Sequence, residues 1–219
     1  MMKICFLVSG NGGNLKFFDL ALKKGIIKNV KLQVIADRNC GALNYAIKSG
    51  IPNRLITYKI DKTIELNEAL DNFRPDLTMT NWHKIIDKHT VEKWKERMVN
   101  LHYSLLPAFK GFIGIKPIEL SFSNNCQYIG ATTHFVEEEV DGGKIICQTI
   151  IKRGNISIED AIKLIFRRGC LILLNSIVLI TGREDIININ EKETIEFSPN
   201  LKFDQSIFDE NFWNEVSLI

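Results

Sequence analysis

Five short apolar runs alternate with amphipathic stretches through the first hundred residues, and that alternation limits the possible folds more than any other feature of the chain. Residues 4–8, 30–36, 54–57, 77–80 and 98–102 read as strands. Residues 15–24, 42–49, 62–73 and 90–96 read as helices, the second of them stopped by Gly50 and Pro52. Strand–helix alternation predicts an α/β fold of Rossmann-like type: a mostly parallel sheet with helices on both faces. In such sheets ligands bind beyond the carboxyl ends of the strands. Gly10, Asn81 and His102 fall at those ends.

The character changes after residue 126. Residues 127–137 and 144–151 look like two strands joined by a short loop, which predicts an antiparallel extension of the sheet in the C-terminal half. Ser157, with Asp160 three residues on, opens a helix that should run to about residue 180 and end before Gly182. The expected organisation is one catalytic domain over residues 1–187. A short C-terminal extension, residues 188–219, should pack on the same domain. Two short strands are expected around residues 194–197, before an aromatic tail carrying Phe203, Phe208, Phe212 and Trp213.

Composition excludes several classes. The 28 basic and 26 acidic residues leave a net charge of +2, so nothing favours a nucleic-acid partner. The five cysteines are odd in number, widely spaced and without a C-x-x-C pair, which points to reduced thiols in a cytoplasmic protein. No metal is expected from such spacing. The first apolar run is too short for a signal sequence. The apolar stretch 172–180, interrupted by Asn175 and Ser176, is too short to span a bilayer, so no membrane association is expected.

The loop Ser9-Gly10-Asn11-Gly12-Gly13-Asn14-Leu15 joins the first strand to the first helix. Its glycines permit positive φ and close approach of an anion to a helix N-terminus. The spacing is not that of the dinucleotide fingerprint, and by itself the loop reads equally as a tight structural turn.

The chemistry-bearing segment is Asn100-Leu101-His102-Tyr103-Ser104-Leu105-Leu106-Pro107, followed by His134-Phe135-Val136 and Val140-Asp141-Gly142-Gly143. Two residues apart on an extended segment, Asn100 and His102 project to the same side. A glycine-flanked loop can return the Asp141 carboxylate to the imidazole. An amide donor, an imidazole and an orienting carboxylate suit acyl transfer to an amine, where a proton must leave and an oxyanion must be held. Taken alone, the same residues also read as a turn-former, a core histidine and a turn aspartate.

In order and spacing, these segments resemble the folate-dependent formyltransferases, the superfamily of glycinamide ribonucleotide formyltransferase. The resemblance runs from Phe6 to about Gln148. It implies a formyltransferase fold, N10-formyltetrahydrofolate as co-substrate, a small-molecule acceptor amine and no metal. It implies Asn100, His102 and Asp141 as the catalytic trio. By resemblance, Gly10, Asn11, Gly12, Gly13 and Asn14 hold the acceptor's phosphate. Trp82, Lys84, Ile85 and Ile86, with the loop Glu138, Glu139 and Val140, hold the pterin. His134 is implied as a packed, hydrogen-bonded residue near the site.

The chain departs from that family on the acceptor side. Tyr103 stands for a proline and Gly13 for a serine. Gly169-Cys170 stands nearest a Glu-His pair whose Glu binds the acceptor's ribose. These departures favour the sugar N-formyltransferase branch, with a nucleotide-linked amino sugar as acceptor. Phosphoribosylglycinamide formyltransfer in purine biosynthesis is the alternative. Release of formate to water is a further one, and a non-catalytic folate- or nucleotide-binding module is the reading from another class. The aromatic tail and residues 109–115 are expected to offer a stacking surface for a base, or the tail a homodimer contact.

Overall fold

The computed structural model describes residues 1–218; Ile219, the last residue of the tail, lies outside them. The chain forms two compact units. Among the described residues the first comprises residues 1–99, 185–187 and 207–218, and the second Asn100–Glu184 and Asn188–Ser206. The segment 188–219 is therefore divided between them.

In the first unit, strands β1 (Met2–Val8), β2 (Val30–Ala36), β3 (Asn53–Leu55) and β4 (Leu77–Asn81) lie in the order β3-β2-β1-β4. All the pairings among these four are parallel, with Ile4 opposite Leu32 on one side and opposite Leu77 on the other. Ile4, Cys5, Phe6 and Leu7 are all fully buried. Successive strand residues point to opposite faces, so β1 is covered on both, as a parallel strand must be. Helices α1 (Gly13–Lys23), α2 (Gly41–Lys48), α3 (Ile64–Phe73) and α4 (Lys88–Lys93) follow the strands. Helix α4 begins two residues before the sequence reading placed it, because Asp87 is its N-cap and accepts from Thr90 N at 2.9 Å.

The end of the chain corrects an expectation. Residues Glu210–Leu218 form a helix, α7, which was read from sequence as a polar and aromatic tail. Its aromatics are not a surface platform. Phe208, Phe212 and Trp213 are buried around Phe17 of α1, with ring centroids 5.1, 5.6 and 5.4 Å away and Trp213 stacked on Phe17. An amphipathic helix with two aromatics, and a third just before it, buries more apolar area against a neighbour than it could bind in solvent.

Strand β5 (Met98–His102) starts in the first unit and ends in the second. In the second unit it is followed in hydrogen-bonded order by β6 (Tyr128–Phe135), β7 (Ile145–Lys152) and β8 (Phe197–Ser198). The β6–β7 and β7–β8 pairs are antiparallel, the first as its short connection predicts. Only the two-residue β8 forms where two strands were expected, near residues 194–197. A short helix, α5 (Lys116–Ser123), was not foreseen; Pro117 in its first turn is the signal that marks it.

Helix α6 (Ile158–Thr181) starts at the expected cap. Ser157 Oγ accepts from Asp160 N at 3.1 Å, and Gly182 closes the helix in the left-handed region. At 24 residues it is long and apolar enough to cross a membrane, longer than the apolar core read from sequence. Most of that stretch is packed inside the protein, and the two polar residues that interrupt it are hydrogen-bonded pegs. Ser176 shares a hydrogen bond with Thr133 of β6. Asn175 donates to the Asn200 carbonyl and accepts from Lys202 N, tying the segment before residue 206 to the helix. Buried polar groups persist only when paired in this way.

Candidate active site

The trio lies wholly in the second unit. Asn100 and His102 leave the end of β5 on one side, and Asp141 meets both. Its Oδ1 is 3.4 Å from Asn100 Nδ2, and its Oδ2 is 3.3 Å from His102 Nδ1. The His102 and Asp141 side chains are only 5% and 9% exposed. Asp141 reaches this position in the left-handed backbone region, φ 53°, which a non-glycine residue adopts at a cost of about 1–3 kcal/mol unless its surroundings hold it there.

Two backbone groups that no side-chain motif reveals complete the geometry. Gly111 N donates to Asp141 Oδ2 at 2.8 Å, and the Phe109 carbonyl lies 2.9 Å from His102 Nε2. The Ser-Leu-Leu-Pro segment holds this stretch in place. Thr132 of β6 accepts from Leu106 N and donates to the Ser104 carbonyl, and Gln148 of β7 donates to the Leu106 carbonyl. The Leu106–Pro107 peptide is cis.

His102 thus sits between two acceptors, a carboxylate and a carbonyl. An imidazolium satisfies both with its two N–H groups, whereas the neutral ring has one N–H and must leave one contact between two acceptors. Burial pulls the other way and prevails, lowering the imidazole below its usual range against the pull of Asp141 and the Phe109 carbonyl. The ring is therefore neutral in neutral solution and poised to accept a proton. For Asp141, burial would raise the carboxyl. The surrounding His134, Gly111 N–H and His102 outweigh it and hold the group below the usual carboxylate range.

His134, at the end of β6, is a further member of this cluster. Its Nε2 lies 3.2 Å from Asn100 Nδ2 and 3.4 Å from Asp141 Oδ1. Glu138, Glu139 and Val140 are exposed on the loop leading to Asp141, and Glu139 pairs with Lys110 at 3.0 Å. Among the described residues no group of three or more His, Cys, Asp or Glu is arranged to hold a metal ion.

The glycine-rich loop and residues 82–86 belong to the first unit. Gly12 is the N-cap of α1 at φ 74°, and a Cβ there would lie 2.6 Å from that of Ala42, so this position requires glycine. The N-cap being a glycine, it has no side chain with which to cap the first turn of α1. Ser9 connects the two loops. Its Oγ donates to Asp37 Oδ1 at 2.8 Å and accepts from His83 N at 3.1 Å. Tyr58 braces the other end: its hydroxyl donates to the Ile85 carbonyl and accepts from Asp87 N, and its ring packs on Trp82. Lys84 and Ile85 are exposed, and Trp82 and Ile86 half-buried. Tyr58 and Asp37 were not singled out from sequence, because the groups they meet across these loops, Ser9 for Asp37 and the Ile85 carbonyl and Asp87 N for Tyr58, lie far from them along the chain.

Residues 2–168 match the family described as Formyl transferase. The chain belongs to this family. Two curated relatives are the trifunctional purine biosynthetic protein adenosine-3 of Bos taurus and the chloroplastic phosphoribosylglycinamide formyltransferase of Vigna unguiculata. The first is 30% identical over 173 residues, which is 74% of this chain and 17% of that protein. The second is 31% identical over 158 residues, 68% of this chain and 51% of that protein. The chain therefore spans about half the length of the plant relative and a small part of the animal one. The fold of phosphoribosylglycinamide formyltransferase from Anaplasma phagocytophilum superposes with a TM-score of 0.73 at 23% identity, over 89% of this chain and 91% of that one. The α/β fold expected from the strand–helix alternation, and the formyltransferase form of it implied by the resemblance, are thus what the chain adopts.

The departures on the acceptor side have a structural counterpart. A Cβ at Gly169 of α6 would lie 3.1 Å from Leu101 Cδ2 and 3.2 Å from Tyr103 Cε1. The Tyr103 ring, standing where the family has proline, rests against the helix face that lacks a side chain. Cys170 is fully buried, and burial raises its thiol well above the usual range.

Proposed function

We propose that the chain transfers the formyl group of N10-formyltetrahydrofolate to a primary amine, and that the amine is that of phosphoribosylglycinamide. The observation that carries the chemistry is the convergence of Asn100 and His102 on the buried Asp141. In this reading the amine nitrogen attacks the formyl carbon, a new C–N bond forms, and the bond to N10 breaks. An Asn100 N–H donates to the formyl oxygen as it gains negative charge. His102, neutral and flanked by two acceptors, receives the amine proton and passes it to N10. Asp141 orients His102 and stabilises the imidazolium while it exists. The acceptor assignment follows the names of the relatives rather than the amino-sugar branch favoured by the sequence departures. The glycine-rich loop, with a glycine at the N-cap of α1, supports a phosphorylated acceptor.

The amino-sugar acceptor stands as a second reading on one observation. Gly169 has no carboxylate, and its helix face is occupied by Tyr103 and Leu101. A missing charge-assisted contact of ~1.5–3 kcal/mol corresponds to roughly 10–150-fold in kcat/KM. The test is kcat/KM for phosphoribosylglycinamide and for nucleotide-linked amino sugars at one fixed donor concentration. Efficient turnover, about 10⁴ M⁻¹s⁻¹ or above, is expected for the first. A preference for the sugar overturns the acceptor assignment. Formate release without any amine, or folate binding with no turnover, overturns the transfer reading itself.

A further inference from the structure

The sheet of the first unit changes direction at β1. From β1 the chain builds β2 and β3 outward on one side, then crosses back to lay β4 on the other. In open α/β sheets the crevice at such a point, beyond the carboxyl ends of the two strands, is where ligands bind. Here the glycine-rich loop leaves β1 on one side of it and residues 82–86 leave β4 on the other. The last paired residues of the two strands are Val8 and Asn81. Beyond them a side chain continues the connection: Ser9 Oγ accepts from His83 N at 3.1 Å.

The partners fix the direction of that bond. A backbone N–H can only donate, so Ser9 Oγ is its acceptor and the hydroxyl hydrogen must go elsewhere. It goes to Asp37 Oδ1, 2.8 Å away just past the end of β2. The Asp37 side chain is 1% exposed, and Arg38 Nη2 closes on its Oδ2 at 2.8 Å. Burial would raise the Asp37 carboxyl, but its hydrogen bonds, that from Arg38 foremost, hold it below the usual carboxylate range. Arg38, Asp37, Ser9 and the His83 amide thus form one polar chain across the ends of β2, β1 and β4.

The two loops differ in what else anchors them. The glycine-rich loop is tied to α2: the Gly10 carbonyl accepts from Ala42 N at 3.0 Å, and Gly12 lies so close to Ala42 that a Cβ would not fit. Residues 82–86 are braced by Tyr58 at their far end and by Ser9 at their near end. Removing the Ser9 hydroxyl therefore frees the near end of 82–86 and leaves the glycine-rich loop on its own anchor. That near end carries Trp82, which with the exposed Ile85 offers an apolar surface to a flat ring.

We infer that Ser9 is a positioning residue for the folate: its hydroxyl, held by Asp37, fixes the backbone at His83 and so the shape of the 82–86 loop that receives the pterin. This rests on the transfer reading proposed above and on the pterin contact that the resemblance implies for this loop.

The test compares Ser9→Val with Ser9→Thr in the full chain, since the two side chains match in shape and differ by the hydroxyl. The readouts are the Kd for tetrahydrofolate by calorimetry, the KM values for N10-formyltetrahydrofolate and phosphoribosylglycinamide, and Tm. Ser9→Val leaves a backbone N–H and a carboxylate without their partner, and should weaken tetrahydrofolate about tenfold, with the donor KM rising in step. The acceptor KM should change by less than about twofold. Ser9→Thr should stay within about threefold of wild type throughout. A lowered Tm with an unchanged tetrahydrofolate Kd shows a merely structural role and overturns the inference. Equal weakening in the two variants overturns it as well, and so does an acceptor KM that rises more than the donor KM. Should Ser9→Val fail to fold, Ser9→Ala removes the hydroxyl without added bulk, and a wild-type tetrahydrofolate Kd in that variant overturns the inference. No binding of tetrahydrofolate by the wild-type protein overturns the transfer reading itself.

Discussion

Replacing Gly143 by alanine should impair turnover far more than the loss of a loop glycine ordinarily would. A Cβ at this position would lie 1.9 Å from the Phe135 carbonyl oxygen and 2.9 Å from its carbon. Real Cβ contacts do not fall below 3.0 Å, so the 1.1 Å between 1.9 and 3.0 Å must be made up by moving backbone. Neither side can yield freely. Phe135 N is bonded to the Lys144 carbonyl at 3.0 Å, and the Phe135 carbonyl fixes His134. Asp141 is two residues away, in a strained conformation held by Gly111 N and its contact with His102. A misplacement of about 1 Å at a reacting group can cost on the order of 10²-fold. A kcat reduced about 10²-fold is therefore expected, with a stability loss of about 1–3 kcal/mol from the overpacked loop. Gly142→Ala is the control, since its Cβ would meet the exposed side chain of Glu139 and no backbone atom among its nearest contacts, so its loss should be smaller. Steady-state turnover and a thermal melt on both variants check this. A Gly143→Ala enzyme with wild-type kcat and an unchanged Tm would refute the argument.

The pH profile should report His102. Because burial lowers its imidazole below the usual value of 6.5, kcat/KM should rise with pH through a limb below that value. Asp141→Asn removes the negative charge that favours the imidazolium, so the limb should move further down. A limb above pH 7, or an upward move, would contradict the assignment. In the first unit, Trp213→Ala should lower stability by about 3–5 kcal/mol in a urea titration, as for other large-to-small core changes. Its effect on acceptor KM should be slight. A raised KM with unchanged stability would restore the exposed stacking surface read from the sequence.

Much of this molecule was legible in the order of its residues. Strand and helix periods are local, so the parallel first half, the antiparallel β6–β7 pair and the Ser157-to-Gly182 span of α6 follow from patterning, caps and loop lengths. That Asn100 and His102 share a strand face follows from their spacing of two, but Asp141 as their partner, and the three as a catalytic set, came only from the resemblance of the segments in order and spacing. The two-acceptor environment of His102 was not legible, because Phe109 and Gly111 contribute backbone atoms that any residue would supply. His134 was recognised as a nearby packed residue, yet its 3.2 Å contact with Asn100 depends on the β6–β7 register shift between Thr133 and His134, a property of the strand pair and not of either strand alone. The tail shows the same division: its aromatics were read as a surface for a base or a partner, and only α1, nearly two hundred residues earlier, decides that they are buried. Local propensity travels with the sequence; burial and hydrogen-bond partners across a long separation exist only once the chain has closed on itself.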